Sequence, residues 1–242
     1  MTIVADRTIR DLAQELPGAA RVLEQFGLDY CCGGDRGLEE ACRTAKISLD
    51  HVLDALDAAE YNACLMAALR DWENEPLGEL VGHIRSTHHK YTREEVARLN
   101  TLFAKVHSVH GEKHPELHSM QVVFHGLAQE LGLHMMKEEK ILFPYIVHVE
   151  EAVVQKEPIL PSPFGSVQNP VAMMEHEHED ALEALRVLRQ LSGNFTAPAD
   201  ACVSYRTLYQ ALGEFEADLR EHIHLENDIL FPRAIAMEGA RR

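Results

Sequence analysis

HMMKEEKILFP, from His134 to Pro144, and HIHLENDILFP, from His222 to Pro232, are one pattern written twice. Each copy reads histidine, three residues, glutamate, two residues, then Ile-Leu-Phe-Pro. Four residues turn an α-helix by about 400°, so the His and Glu of a copy stand about 40° apart and about 6 Å along the axis. The neighbours decide which face they occupy. Leu127, Leu131, His134, Glu138, Ile141 and Tyr145 follow three-and-four spacing, and so do Phe215, Leu219, His222, Glu226, Ile229 and Arg233. Both pairs are therefore expected in the apolar seam, where a carboxylate costs several kcal/mol unless it is paired or bound to a cation. One buried His–Glu pair is commonly a structural hydrogen bond. Two, on different helices with the same flanks, point to metal.

The rest of the chain reads as helices around this repeat. From Leu77 the pattern is long-period helical, with segments expected at about 77–108, 117–149, 169–192 and 202–237. The links GEKHPE, KEPILPSPFGSVQNP and SGNFTAPAD lie between them. Four long amphipathic helices with short links describe an up-down four-helix bundle, so the fold is all-α. Shorter helices precede it. Thr8 suits a cap for a helix through Glu15, Pro17 a first turn and Gly27 a stop. DYCCGGDRG reads as a turn, and Ser48 as the cap of a helix to about 68. The expected domains are 1–74 and 75–242, with Pro76 opening the bundle.

Composition narrows the chemistry. Hydrophobic residues make up 46% of the 242 and charged residues 26%, enough apolar material for a packed core. A formal charge of −16 repels phosphate backbones and anionic lipid, so neither nucleic acid nor membrane is an expected partner. No apolar run is long enough to span a bilayer, and MTIVADRTIRDLAQEL lacks a signal pattern, so a cytoplasmic location is expected. Five irregularly spaced cysteines do not make a disulfide framework. Fifteen histidines is the anomaly.

The other two bundle helices should complete the site. His178 shares an apolar face with Met174, Ala181, Leu182 and Leu185, whereas His176 falls on a more polar one. On the first bundle helix Val81 and Ile84 favour His88, but Val96, Leu99 and Phe103 favour His89. Periodicity leaves the two open. Spacing leans to His89, because 45 residues separate it from His134 and 44 separate His178 from His222. Four imidazoles and two carboxylates suit iron or manganese better than closed zinc, magnesium or calcium sites. Six ligands fit two ions, with two His on each, two bridging Glu and an oxo or hydroxo bridge.

These residues resemble a known family, the iron–sulfur cluster repair di-iron proteins, which are hemerythrin-like. The resemblance rests on DYCCGG at 29–34, the two His-x3-Glu segments and MEHEHED around His178, and covers nearly the whole chain. It implies two iron ions held by His89, His134, Glu138, His178, His222 and Glu226, and it selects His89 over His88. The family often has tyrosine just before that ligand, where this chain has His88. The resemblance also implies a role in the nitrosative and oxidative stress response, with damaged iron–sulfur proteins as partners and NO or O2 as small ligands. The alternatives are a di-iron NO reductase and a module that binds or senses O2 or NO. A monomer or homodimer is expected. Cys31 and Cys32 are candidates for a redox or docking pair, while Cys42, Cys64 and Cys202 read as packing. Glu177 and His110 are candidates to support the ligands, and the other histidines are scattered over faces and loops.

Overall fold

The structure, a computed structural model, describes residues 7–16, 19–28, 30, 34–65, 71–160, 162 and 164–240. Cys31, Cys32 and Pro17 lie outside the described residues. The chain forms two compact units.

The first unit holds α1 (Ile9–Glu15), α2 (Ala19–Gln25), α3 (Leu38–Ala45) and α4 (Leu49–Leu65). Thr8 caps α1 by accepting a hydrogen bond from the Asp11 N–H at 3.1 Å. Gly27 stops α2 at φ +66°, a conformation other residues rarely adopt, and the Leu28 N–H closes the end on the Leu23 carbonyl. Ile9, Leu12, Leu23, Leu38 and Val52 form its core together with Val203. Residues 197–210 therefore belong to this unit, a contribution absent from the linear division at 74. Cys42 is buried in that core, and burial pushes its thiol pKa up, as suits a packing residue.

The second unit is built from four long helices. They are α5 (residues 77–110), α6 (residues 116–155), α7 (Gln168–Leu191) and α8 (residues 203–239), the last entering this unit at residue 211. Lys90–His110 packs on Glu116–Lys137 and Leu77–Ile84 on Phe143–Gln155, so α5 and α6 run antiparallel. Glu150 fixes that hairpin. Its carboxylate accepts the otherwise orphaned N–H groups of Leu77 and Gly78 at 2.6 and 2.8 Å, at the start of α5. Among the described residues there is no strand, only an isolated bridge between Thr8 and Gly37.

Three of the four helices are not α throughout. One π-helical turn interrupts each of α5 (Arg85–His89), α6 (Glu138–Leu142) and α8 (Leu225–Leu230). A π-turn adds about one residue to the turn and shifts everything downstream by one position. This corrects the apolar stripe expected after each glutamate. Leu142 and Ile146 are buried in place of Ile141 and Tyr145, with Ile141 51% exposed. After Glu226, Leu230 and Ala234 are buried in place of Ile229 and Arg233. The same insertion explains why periodicity could not choose between His88 and His89. The upstream stripe ends on one, the downstream stripe begins on the other, and both are buried. It also explains the prolines. Pro144 and Pro232 each sit in the first turn of the α-helix that follows a π-turn, where the regular hydrogen-bond ladder is already broken.

Candidate metal centre

Six buried side chains meet between two apolar layers of the bundle. Below them lie Leu80, Ile84, Phe143, Ile146, Val171 and Phe231. On the other side Phe124 packs against Phe103 and Phe215, with ring centroids at 5.4 and 5.7 Å. The six are His89, His134, Glu138, His178, His222 and Glu226, each at most 2% exposed. Their ligand atoms form two groups, His89–Glu138–His222–Glu226 and His134–Glu138–His178–Glu226, each within 4.8 Å. Both glutamates are common to the two groups.

The two oxygens of each glutamate divide between the groups. Glu138 Oε2 lies 3.3 Å from His89 Nε2, and its Oε1 lies 3.3 Å from His134 Nε2. Glu226 Oε1 lies 3.0 Å from His222 Nε2, and its Oε2 lies 3.1 Å from His178 Nε2. In each group two imidazole Nε2 atoms face one another, His89 with His222 at 3.2 Å and His134 with His178 at 2.9 Å. Both Glu138 oxygens and Glu226 Oε2 are buried and meet these nitrogens at 3.1–3.3 Å, longer than a well-formed charged hydrogen bond. Buried carboxylate oxygens and opposed imidazole nitrogens are otherwise costly, and both conditions are relieved by a cation between them. The donor set fits two cations, each facing two imidazoles and one oxygen from each glutamate.

The ILFP half of the repeat supports this arrangement. Phe143 stacks on the His89 ring at 5.6 Å and Phe231 on the His178 ring at 6.3 Å. Three of the four imidazoles are also oriented through Nδ1. His89 bonds to Glu139 at 2.8 Å, His134 to Glu177 at 2.9 Å and His178 to Asn227 at 2.8 Å. Such partners fix the tautomer that leaves Nε2 free to bind. Arg93 in turn holds Glu139, and Lys137 holds Glu177. His222 Nδ1 has no hydrogen-bond partner; its ring stacks instead on His88, which bonds Asp218 at 3.0 Å.

Glu177 lies against His134, a candidate ligand. His110 lies away from the cluster. It lies in the last turn of α5 against His114, about 30 Å along the helix from His89. Glu139 and Asn227 were not foreseen, although the signal was available, since each directly follows the glutamate of a repeat copy.

Without a cation, protons serve the same charges. Burial pushes the His134 pKa down, but the charges of Glu138 and Glu226 and the bonds to Glu138 and Glu177 outweigh it and raise it to about 9. Burial disfavours the Glu226 anion too, yet the charge of His222 and bonds from His178 and His222 hold its pKa well below the usual carboxylate range. A histidine raised from 6.5 to about 9 stabilises the fold fully below 6.5 and loses that contribution as pH rises through 9. Metal-free protein should accordingly lose on the order of 3 kcal/mol between pH 7 and pH 10. Loaded protein should not, because the cation has already displaced the proton. Thermal melts of both forms across this range check the expectation; equal pH profiles would refute it.

A cleft of about 230 Å³ opens beside His134, lined by Glu130, Lys137, Glu177 and Asp180 among others. Among the described residues, no helix is long and apolar enough to cross a membrane.

A helical bundle with paired His-x3-Glu segments around two cation positions defines a class. Residues 81–234 match the family described as the hemerythrin HHE cation binding domain, and residues 5–60 match a domain of unknown function, ScdA_N. Full-length relatives narrow the assignment. The iron-sulfur cluster repair protein YtfE of Musicola paradisiaca is 36% identical over 97% of this chain and 98% of its own. That of Edwardsiella ictaluri is 39% identical over 95% and 97%. A probable iron-sulfur cluster repair protein of Haemophilus influenzae is 34% identical over 96% and 97%. The chain belongs to the iron–sulfur cluster repair protein family.

Proposed function

We propose that this chain is a di-iron protein of the nitrosative and oxidative stress response that restores damaged iron–sulfur clusters by donating iron. His89 and His222 would hold one iron and His134 and His178 the other, with one oxygen of Glu138 and one of Glu226 facing each. The observation that carries the reading is the division of both carboxylates between two His pairs. Relatives that share its full length bear the repair name.

Iron, when bound, supplies a redox-active ion with positions open to a small diatomic ligand. The protein supplies the rest. Glu139, Glu177 and Asn227 hold three imidazoles with Nε2 inward, and the apolar layers keep bulk water from the carboxylates. The cleft beside His134, lined by Glu130, Lys137, Glu177 and Asp180, sets a mostly acidic surface against the second pair, which supports the donation reading.

Purified protein should carry about two irons per chain, one for each group of ligands, and an oxo-bridge band in the near-ultraviolet when oxidised. Mixed anaerobically with an apo iron–sulfur protein, the reduced form should transfer iron and regenerate the cluster. One zinc and no iron after growth in iron-replete medium would end the di-iron reading. Turnover of NO to N2O without iron transfer would favour the reductase alternative, and a stable NO adduct the binding module.

Cys31 and Cys32 are a separate matter. All six candidate ligands fall between residues 89 and 226. Replacing both cysteines with serine should leave the iron content unchanged by metal analysis, and a collapse in iron would mean that they share the site.

A further inference from the structure

His83 and His88 belong to neither group of ligands, yet they lie on a continuous line of rings. Trp72 stacks on His83 with centroids at 4.7 Å and planes 30° apart. His83 meets the edge of His88 at 5.6 Å, and His88 lies parallel to His222 at 5.7 Å, the planes within 10°. Burial deepens along the line, from half-buried Trp72 and His83 to His88 at 3% and His222 at 1% exposure. Each ring is held. Arg233 donates to the Trp72 and Glu75 carbonyls at 2.7 Å each, the Thr87 hydroxyl lies 3.3 Å from His83 Nδ1, and Asp218 bonds His88. The rings stacked on the other ligands, Phe143 and Phe231, are themselves fully buried and lead to no surface.

We propose that Trp72, His83 and His88 form the electron-entry path to the metal centre, ending on His222. The inference rests on the di-iron reading. Electronic coupling decays least along covalent bonds and steeply across open gaps, and this line crosses from a half-buried indole to a ligand by short ring-to-ring steps. The step is one-electron and outer-sphere. A reduced flavin semiquinone or iron–sulfur carrier at the Trp72 face loses one electron, the ferric ion at His89 and His222 gains it and becomes ferrous, and no bond forms or breaks. The stacked His88 packs on the ring of the one ligand imidazole whose Nδ1 lacks a hydrogen-bond partner.

The test is stopped-flow reduction of the oxidised, iron-loaded protein by dithionite-reduced methyl viologen, with iron per chain measured on the same samples. His83→Leu, remote from the ligands, and His88→Leu should each slow reduction by an order of magnitude with iron retained. His88→Phe, which keeps a ring in the stack, should restore the rate. Trp72 is the sole tryptophan, so its emission reports separately. Loading with ferric iron should shorten its lifetime, and His83→Leu should reduce that shortening. Unchanged reduction rates in the leucine variants with iron intact would overturn the path, as would a shortening in His83→Leu equal to that of the wild type. Wild-type protein holding fewer than two irons would instead count against the reading of the site.

Discussion

Glu226→Ala is expected to strip the centre of both metals, and Glu138→Ala to do the same, whereas His→Ala at 89, 134, 178 or 222 should weaken one metal first. The asymmetry follows from geometry, since each carboxylate sends one oxygen to each group and each imidazole faces only one. Charge adds to it. On the di-iron reading two ferrous ions would bring about four positive charges into a bundle core where the two glutamates are the only candidate ligand anions, and there an unbalanced charge is worth far more than one neutral donor. Metal per chain and melting temperature across the six variants measure the effect. The apo proteins should remain helical but melt lower, because a cation that binds only the folded state stabilises it. Retention of both metals by the glutamate variants, with loss in the histidine variants, would make the carboxylates outer partners and not bridges.

The second large effect is expected from inserting one alanine after Lys140, inside the π-turn of α6. The π-turn already absorbs one extra residue, and a second rotates the helix after it by about 100°. Leu142, Phe143 and Ile146, each at most 1% exposed, would leave the core. Losses of roughly 2–5 kcal/mol for each such side chain together rival the roughly 5–15 kcal/mol that holds a domain folded. The insertion should therefore abolish the cooperative melt and metal binding together. Inserting alanine before Leu160, which is 63% exposed in the connection between α6 and α7, is the control and should shift the melting temperature little. A variant with alanine after Lys140 that folds and binds metal would mean that the helix after the π-turn tolerates either register.

The four bundle helices and five residues of the cluster were legible because both obey one rule, that apolar neighbours at helical spacing reveal the buried face, whereas His89 was selected over His88 by the family resemblance. His178 could be separated from His176 on that rule alone, and the structure buries it. The same rule failed past each glutamate. Three-and-four spacing presumes an unbroken α-helix, and a π-turn has no composition of its own to announce it. Its trace was indirect, in a proline inside a long helix and in a first bundle helix whose two halves pointed to adjacent histidines. The supporting contacts of Glu139 and Asn227 were hidden for another reason. They join residues 50 and 49 apart in the chain, and a single sequence carries no record of such pairs. The place of Val203 in the core of the first unit was hidden likewise, because it reaches that core from the far end of the chain.

The metal positions also have a topological meaning. On the two-metal reading, the ion between His89 and His222 joins residues 133 apart, and the ion between His134 and His178 joins residues 44 apart. Each is a cross-link that closes a long loop, and like a disulfide it acts most strongly by restricting the unfolded chain. Unlike a disulfide, on the proposed function it is also the cargo. Giving iron away opens a loop, so a molecule that has just delivered its metal is less constrained than one still loaded. Trypsin should cut the emptied protein faster than the loaded one under native conditions, and a protein spent in repair would thereby mark itself for turnover.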